Sequence, residues 1–127
     1  MFLKKDNQKN RDKTYMELAL NLASERVGLT GMNPSVGCVI VKDNEIISIG
    51  QTSFNGRPHA EYNAILNADK KKVKGSTMYV SLEPCTHFGK TNPCTDIIIK
   101  SKIKKLYYAT VSYTHLRAHE TSLHLEC

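Results

Sequence analysis

The sequence predicts a single layered α/β domain in which helices pack on a sheet. The chain has 127 residues, a usual length for one domain and long enough for one compact core. Segments with helical spacing of apolar residues alternate with short β-rich segments in the order α, β, β, α, β, α, β. Such alternation favours helices that cover a sheet. The continuous apolar run at residues 36–41 further predicts a strand buried on both faces.

The first predicted element is an amphipathic helix over residues 14–27. Thr14 is followed three positions later by a glutamate, which is the spacing of a capping box. Apolar residues then recur at helical intervals, and Gly28 is expected to end the helix. Residues 1–12 are polar and charged, so we expect them to fray.

A hairpin opens the predicted sheet. The pair Asp43-Asn44 favours a turn, and it separates the apolar run at 36–41 from a second β-rich run at 45–50. After a polar loop, the same two kinds of pattern predict a helix, a strand, a short helix and a last strand at residues 59–69, 77–82, 95–99 and 106–110. The segment 111–127 has neither a strand pattern nor a clean helical period.

Composition places the chain among basic proteins without a membrane span. Its formal charge is +6 and it holds no run of 18 apolar residues. The N-terminus lacks the apolar stretch of a signal peptide, so a cytoplasmic location is expected. The lysine-rich segments at 70–74 and 100–105 are typical of solvated surface, although they would also attract a phosphorylated substrate or RNA. Low aromatic content makes nucleic acid an unlikely partner.

A zinc site is predicted from four residues that lie at the starts of elements. His59, Cys85 and Cys94 are soft ligands, and Cys38 is instead expected to be a small core residue because it lies in the apolar run. Three protein ligands leave a fourth position for a water molecule, whose pKa falls to about 7 on zinc. Glu61 would take the proton of that water and pass it to a leaving nitrogen. This set of residues favours hydrolytic deamination.

A structural zinc site is the alternative interpretation of the same residues. Such sites are normally closed by a fourth protein ligand, and His87 could be that ligand. An open catalytic site is favoured, because Glu61 has no role in a closed structural site.

Two longer strings carry a resemblance to a known family. His59-Ala60-Glu61 with Pro84-Cys85 and Cys94 resembles the cytidine-deaminase-like zinc enzymes. Most nucleoside, tRNA and DNA deaminases have two residues between their cysteines, whereas this chain has the eight residues 86–93. That spacing, with the strings at 82–91 and 33–41, is similar to the deaminase half of the bifunctional riboflavin-biosynthesis deaminase/reductase.

The resemblance implies a three-layer α/β/α sandwich with a mixed sheet, and it covers residues 15–110. It implies deamination of 2,5-diamino-6-(5-phosphoribosylamino)pyrimidin-4-one to 5-amino-6-(5-phosphoribosylamino)uracil, with Zn²⁺ as the metal ion. It also implies assembly into a homo-oligomer. The substrate would be held by Asn33, His87 and Lys90, with Lys90 near the phosphate. Asn33 could equally be a turn residue before proline, and Lys90 a solvated lysine.

The sequence departs from the family at three places. Thr52 stands where many relatives have a histidine that approaches the substrate, and Asn92 replaces a usual proline. The third departure is the segment 111–127, where relatives continue into more deaminase structure and then a reductase domain that uses NADPH. We therefore expect residues 1–110 to be a deaminase domain that is incomplete at its C-terminal end, and residues 111–127 to be non-native sequence. A nucleoside or tRNA deaminase remains the alternative enzyme.

Overall fold

The fold consists of one mixed sheet with helices on both faces. A computed structural model gives the backbone of residues 4–29, 31, 35–54, 59–81, 93–111 and 116–122. Side chains are described within residues 10–29, 31, 35–54, 59–81 and 97–108. The elements, in chain order, are α1 (Lys4–Ser24), β1 (Gly37–Lys42), β2 (Glu45–Gln51), α2 (Ala60–Asn67), α3 (Lys70–Val73), β3 (Thr77–Val80), α4 (Pro93–Lys100), β4 (Lys105–Val111) and β5 (Leu116–Ser122).

The sheet has the strand order β2-β1-β3-β4-β5. β3 and β4 are parallel, and the other neighbouring strands are antiparallel. The β1–β2 hairpin is confirmed, and both residues of its turn have positive φ, 51° at Asp43 and 65° at Asn44. Two left-handed residues give the turn a twist that matches that of the strands it joins.

Side chains alternate across the sheet and form two cores. On one face α1 covers the core formed by Met16, Ala19, Leu22, Val39, Val41 and Tyr79. On the other face the larger core contains Cys38, Ile40, Ala60, Ala64, Met78, Val80 and Ile98. Because consecutive strand residues point to opposite faces, β1 and β3 supply both cores. The expected three-layer α/β/α arrangement is therefore confirmed, as is the expectation that Cys38 lies in the core.

The first helix is longer than expected. It begins at Lys4, so the prediction that residues 1–12 fray is wrong for residues 4–12, and Thr14 is not its cap. The Thr14 hydroxyl lies within the helix and donates a hydrogen bond to the Asn10 carbonyl oxygen at 2.9 Å. The apolar period marks only the part that packs on the sheet, and the helix extends beyond that part.

A second difference lies after α2, where the lysine-rich segment forms the separate helix α3. Ala68 has an extended backbone, and the Asp69 carboxylate then accepts a hydrogen bond from the Lys71 amide at 2.9 Å. An N-cap of this kind starts a new helix. The expected helix over 59–69 is therefore shorter, and the other bounds lie within three residues of those predicted, apart from the start of α1.

The expectation that residues 111–127 contain no strand is wrong. β5 pairs with β4 in continuous antiparallel register, from Lys105 opposite Ser122 to Val111 opposite Leu116. That this segment is non-native stays a prediction. No helix within the described residues is both long enough and apolar enough to cross a membrane.

Candidate active site

His59 and Glu61 lie together at the start of α2. His59 is the N-cap residue, with an extended backbone (φ −74°, ψ 164°). Its carbonyl oxygen accepts a hydrogen bond from the amide of Asn63 at 3.0 Å, which closes the first turn. Glu61 lies within this turn, and only 3% of its surface is exposed. The prediction that Glu61 lies in the first turn of this helix is confirmed, and His59 is one residue before that turn.

The position of this helix start is fixed by close contacts with β2. A Cβ on Gly50 would lie 2.4 Å from the Ala60 carbonyl oxygen, so a side chain at position 50 would force the helix away from the sheet. The Asn63 side-chain amide donates hydrogen bonds to the Gln51 carbonyl oxygen at 2.7 Å and to the Ser53 hydroxyl at 3.0 Å. Sequence analysis did not identify Gly50 or Asn63. Gly50 lies nine residues before His59 and Asn63 lies four residues after it, and neither carries a sequence signal of its own.

Burial governs the electrostatics of Glu61. Removal of the carboxylate from water raises the pKa of Glu61 above its ordinary value, and a hydrogen bond from its own backbone amide partly opposes that rise. A carboxyl group with a raised pKa holds a proton more readily than an exposed one. Glu61 is thus suited to accept a proton and return it during one reaction cycle.

Helix α4 brings the second part of the predicted zinc site towards α2. Ile98 on α4 is 1% exposed and packs in the same core as Ala60 and Ala64 of α2. Cys94 is the second residue of α4 and precedes Ile98 by four positions, so the two Cα positions lie on the same side of the helix. The helix therefore carries Cys94 in its first turn, where the helix dipole favours a thiolate.

The other predicted site residues lie outside the described part of the chain. These are the ligand Cys85, the side chain of the ligand Cys94, and the expected substrate-binding residues Asn33, His87 and Lys90. Among the described side chains, no group of three His, Cys, Asp or Glu residues lies close enough to hold a metal ion. The part that is described still fits a zinc ion, because His59 at the start of α2 lies two residues from the buried Glu61, and α4, which carries Cys94, packs on the same core.

Thr52, which departs from the family pattern, has a structural role. It is 1% exposed, and its hydroxyl oxygen accepts a hydrogen bond from the Val36 amide at 2.9 Å. The Thr52 amide in turn donates to the Val36 carbonyl oxygen at 3.0 Å. Thr52 therefore ties the loop after β2 to the segment that leads into β1.

Comparison with known proteins identifies the family. The profile of the cytidine and deoxycytidylate deaminase zinc-binding region matches residues 9–110. The chain is 54% identical to the riboflavin biosynthesis protein RibD of Aquifex aeolicus over 79% of its own length and 28% of that protein. It is 46% identical to the diaminohydroxyphosphoribosylamino-pyrimidine deaminase of Buchnera aphidicola from Schizaphis graminum, over 80% of its own length and 68% of that enzyme.

The fold agrees with solved structures of the same group. RibD of Acinetobacter baumannii superposes with a TM-score of 0.68 at 42% identity, over 76% of this chain and 27% of that one. The chain thus spans little more than a quarter of the length of the RibD proteins it matches here. The resemblance to riboflavin-biosynthesis deaminases that the sequence carries is confirmed. The chain belongs to the family of deaminases that share the cytidine and deoxycytidylate deaminase zinc-binding region.

Proposed function

We propose that this protein removes an amino group hydrolytically from 2,5-diamino-6-(5-phosphoribosylamino)pyrimidin-4-one, a step of riboflavin biosynthesis. The observation that carries the proposal is the buried Glu61 carboxyl group, two residues after His59 at the start of a helix. A structural zinc site has no need of a carboxyl group held out of water in this way. The substrate class follows from the name of the Buchnera relative. The match covers 68% of the length of that relative.

Zinc would be held by His59, Cys85 and Cys94. Two thiolates and one neutral imidazole balance the charge of Zn²⁺, and three protein ligands leave one position open. When bound, the metal would supply an activated water at neutral pH and so the nucleophile for the reaction.

Glu61 would move the protons. Deamination replaces the C–NH₂ bond of the ring with a C=O bond and consumes one water molecule, so a proton must travel from the water to the departing nitrogen, which leaves as ammonia. A carboxyl group with a raised pKa accepts that proton and then donates it, because its two protonation states lie closer in free energy near neutral pH.

We also propose which residues bind the substrate, as the family resemblance implies. We assign Asn33 and His87 to the pyrimidine and its substituents, and Lys90 to the phosphate, since an ammonium group binds a phosphate as a point charge. A free cytosolic phosphoribosyl compound as substrate implies a cytoplasmic enzyme. We further propose that the enzyme acts as a homo-oligomer, as the family resemblance suggests.

Replacement of Glu61 tests the catalytic assignment. Glu61→Gln keeps the size of the side chain but cannot carry the proton, so we expect deamination to fall about 10²–10⁴-fold while zinc content stays near that of the parent. Ammonia release and metal content are measured on the same samples. Glu17→Gln, an exposed glutamate on α1, is the matched control and is expected to leave both values unchanged.

Three results would contradict the proposal. Zinc-loaded parent protein without activity on the phosphoribosylaminopyrimidine would favour a structural zinc module. A Glu61→Gln variant with full activity would show that Glu61 does not carry the proton. If cytidine, or a tRNA anticodon stem-loop that contains adenosine, is deaminated faster than the phosphoribosylaminopyrimidine, the site belongs instead to the nucleoside and tRNA deaminases.

A further inference from the structure

A cavity of about 310 Å³ lies beside the sheet on the face that α1 covers. It is lined by residues from α1, the β1–β2 hairpin and the starts of β3 and β4, namely Tyr15, Val41, Lys42, Asp43, Asn44, Gly75, Thr77, Tyr79, Lys104, Lys105 and Tyr107. We call it the tyrosine–lysine cavity.

The cavity lies away from the candidate active site. Tyr79 and Val41 belong to the core on the α1 face, whereas Ala60 and Ile98 beside the active site belong to the core on the opposite face. The two sites also lie at opposite ends of the strands. β3 begins at Thr77 in the cavity and runs for about 10 Å towards the end at which the proposed site lies.

Three rings build one wall of the cavity. Tyr79 stacks on Tyr107 with ring centres 4.9 Å apart and planes 5° apart, and Tyr15 lies tilted against Tyr79 with centres 5.2 Å apart. The Tyr15 hydroxyl donates to the Asn44 carbonyl oxygen at 3.2 Å, and the Tyr79 hydroxyl donates to the Asp12 carboxylate. These hydrogen bonds hold two of the rings in place, so the aromatic wall is formed before any ligand arrives.

Positive charge dominates the polar part of the lining. Among the lining residues whose side chains are described, Lys42, Lys104 and Lys105 contribute three ammonium groups, and Asp43 is the one carboxylate. Lys42 donates its ammonium hydrogen to the Lys74 carbonyl oxygen. Within the described residues, the ammonium groups of Lys104 and Lys105 have no hydrogen-bond or ion-pair partner. This described part of the lining therefore carries excess positive charge next to an aromatic wall.

We propose that the tyrosine–lysine cavity binds a small phosphorylated aromatic molecule of the size of a mononucleotide. Its volume lies at the lower end of the range of ligand pockets, about 300–1,000 Å³. Lysines bind phosphate as point charges, and tyrosine rings supply rigid apolar contact for a planar base. Because the cavity lies on the far face of the sheet from Glu61, a ligand there would be bound in addition to the substrate.

The test is equilibrium binding of AMP, followed by the fluorescence of the tyrosines, since the chain has no tryptophan. We expect AMP to bind at least about tenfold more tightly than adenosine, which lacks the phosphate, or ribose 5-phosphate, which lacks the base. Lys104→Gln with Lys105→Gln should weaken AMP binding by about tenfold or more, since two charged contacts are lost. Far-UV circular dichroism verifies that the variant is folded.

The matched control removes the same charge elsewhere. Lys71→Gln with Lys72→Gln alters two exposed lysines of α3 that do not line the cavity, and should leave AMP affinity within about twofold. Equal loss in both double variants would mean that net charge alone attracts the ligand, which overturns the proposal. AMP affinity unchanged by the loss of Lys104 and Lys105 would place AMP in another site and overturn it too. Tighter binding of a short single-stranded oligo(A) than of AMP would assign the surface to nucleic acid instead.

Discussion

Gly37 lies so close to Ala19 that a Cβ on Gly37 would be 1.9 Å from the Ala19 carbonyl oxygen. No side chain fits at that distance, so the contact between α1 and the start of β1 requires glycine. We expect Gly37→Ala to lower the free energy of unfolding by about 3 kcal/mol or more, since helix and strand must move apart. Urea unfolding of the variant beside the parent measures the difference.

Gly28→Ala is the control for this substitution. Gly28 has a positive φ of 83°, and no atom lies within 4 Å of the place that a Cβ would take, so alanine there costs only backbone strain, about 1 kcal/mol. A loss for Gly37→Ala no larger than that for Gly28→Ala would show that α1 can shift at little cost. The close approach would then not be what requires glycine.

The hydrogen bond between Tyr79 and Asp12 predicts a change in stability at alkaline pH. Burial, and after it the bond to Asp12, raise the pKa of Tyr79 far above its ordinary value of 10.0. The folded phenol therefore keeps its proton at a pH where the unfolded phenol has lost it. The contribution of Tyr79 to the free energy of unfolding is therefore fully present below pH 10 and is lost as the pH rises above 10.

We expect Tyr79→Phe to lower the free energy of unfolding by about 2 kcal/mol at neutral pH, because the Asp12 carboxylate no longer accepts a hydrogen bond from residue 79. The difference in the free energy of unfolding between variant and parent should narrow as the pH rises above 10, because only the parent has the Tyr79 proton to lose. Denaturant unfolding over a pH series measures both effects. Tyr62→Phe, an exposed tyrosine on α2, should leave the parent's pH dependence in place. A constant gap across the series would contradict the assignment.

Much of the fold could be predicted because the local sequence and the final packing agree. The hairpin is an example, since Asp43 and Asn44 tolerate positive φ and the apolar run before them is buried on both faces. The first turn of α2 is another, because the motif residues His59 and Glu61 precede an apolar helical stretch. In both places one short segment carries the information.

The rest depended on contacts that a local pattern does not contain. Residues 4–12 have no apolar period, so nothing in them predicted a helix that continues beyond the sheet. β5 is polar, and its pairing depends on the open edge of β4, which is a tertiary feature. The site was predicted from ligand spacing, yet the residues that fix its position, Gly50 and Asn63, act through contacts with another element.

Thr52 gives a prediction for the loop beside the candidate active site. Thr52→Val removes the hydroxyl that accepts from the Val36 amide at 2.9 Å while keeping the shape of the side chain. The amide is then left without that partner, and we expect a loss of about 1–3 kcal/mol in the free energy of unfolding. Thr52→Ser keeps the hydroxyl oxygen and should lower the free energy of unfolding by less. Equal losses in the two variants, measured by thermal or urea unfolding, would mean that packing of the methyl group and not the hydrogen bond matters.

The pairing of β5 with β4 predicts what removal of the last segment does. A chain that ends at Val111 exposes the hydrogen-bonding edge of β4 along its whole length. An open edge of this kind pairs with other chains, so we expect lower thermal stability and concentration-dependent association, measured by calorimetry and light scattering. A chain in which residues 112–127 are replaced by a Gly/Ser segment of equal length is the control, and it should behave like the shortened chain. If the shortened chain is as stable as the parent and associates no more than the parent does, β5 contributes nothing to the fold, which is what the sequence pattern of residues 111–127 predicts.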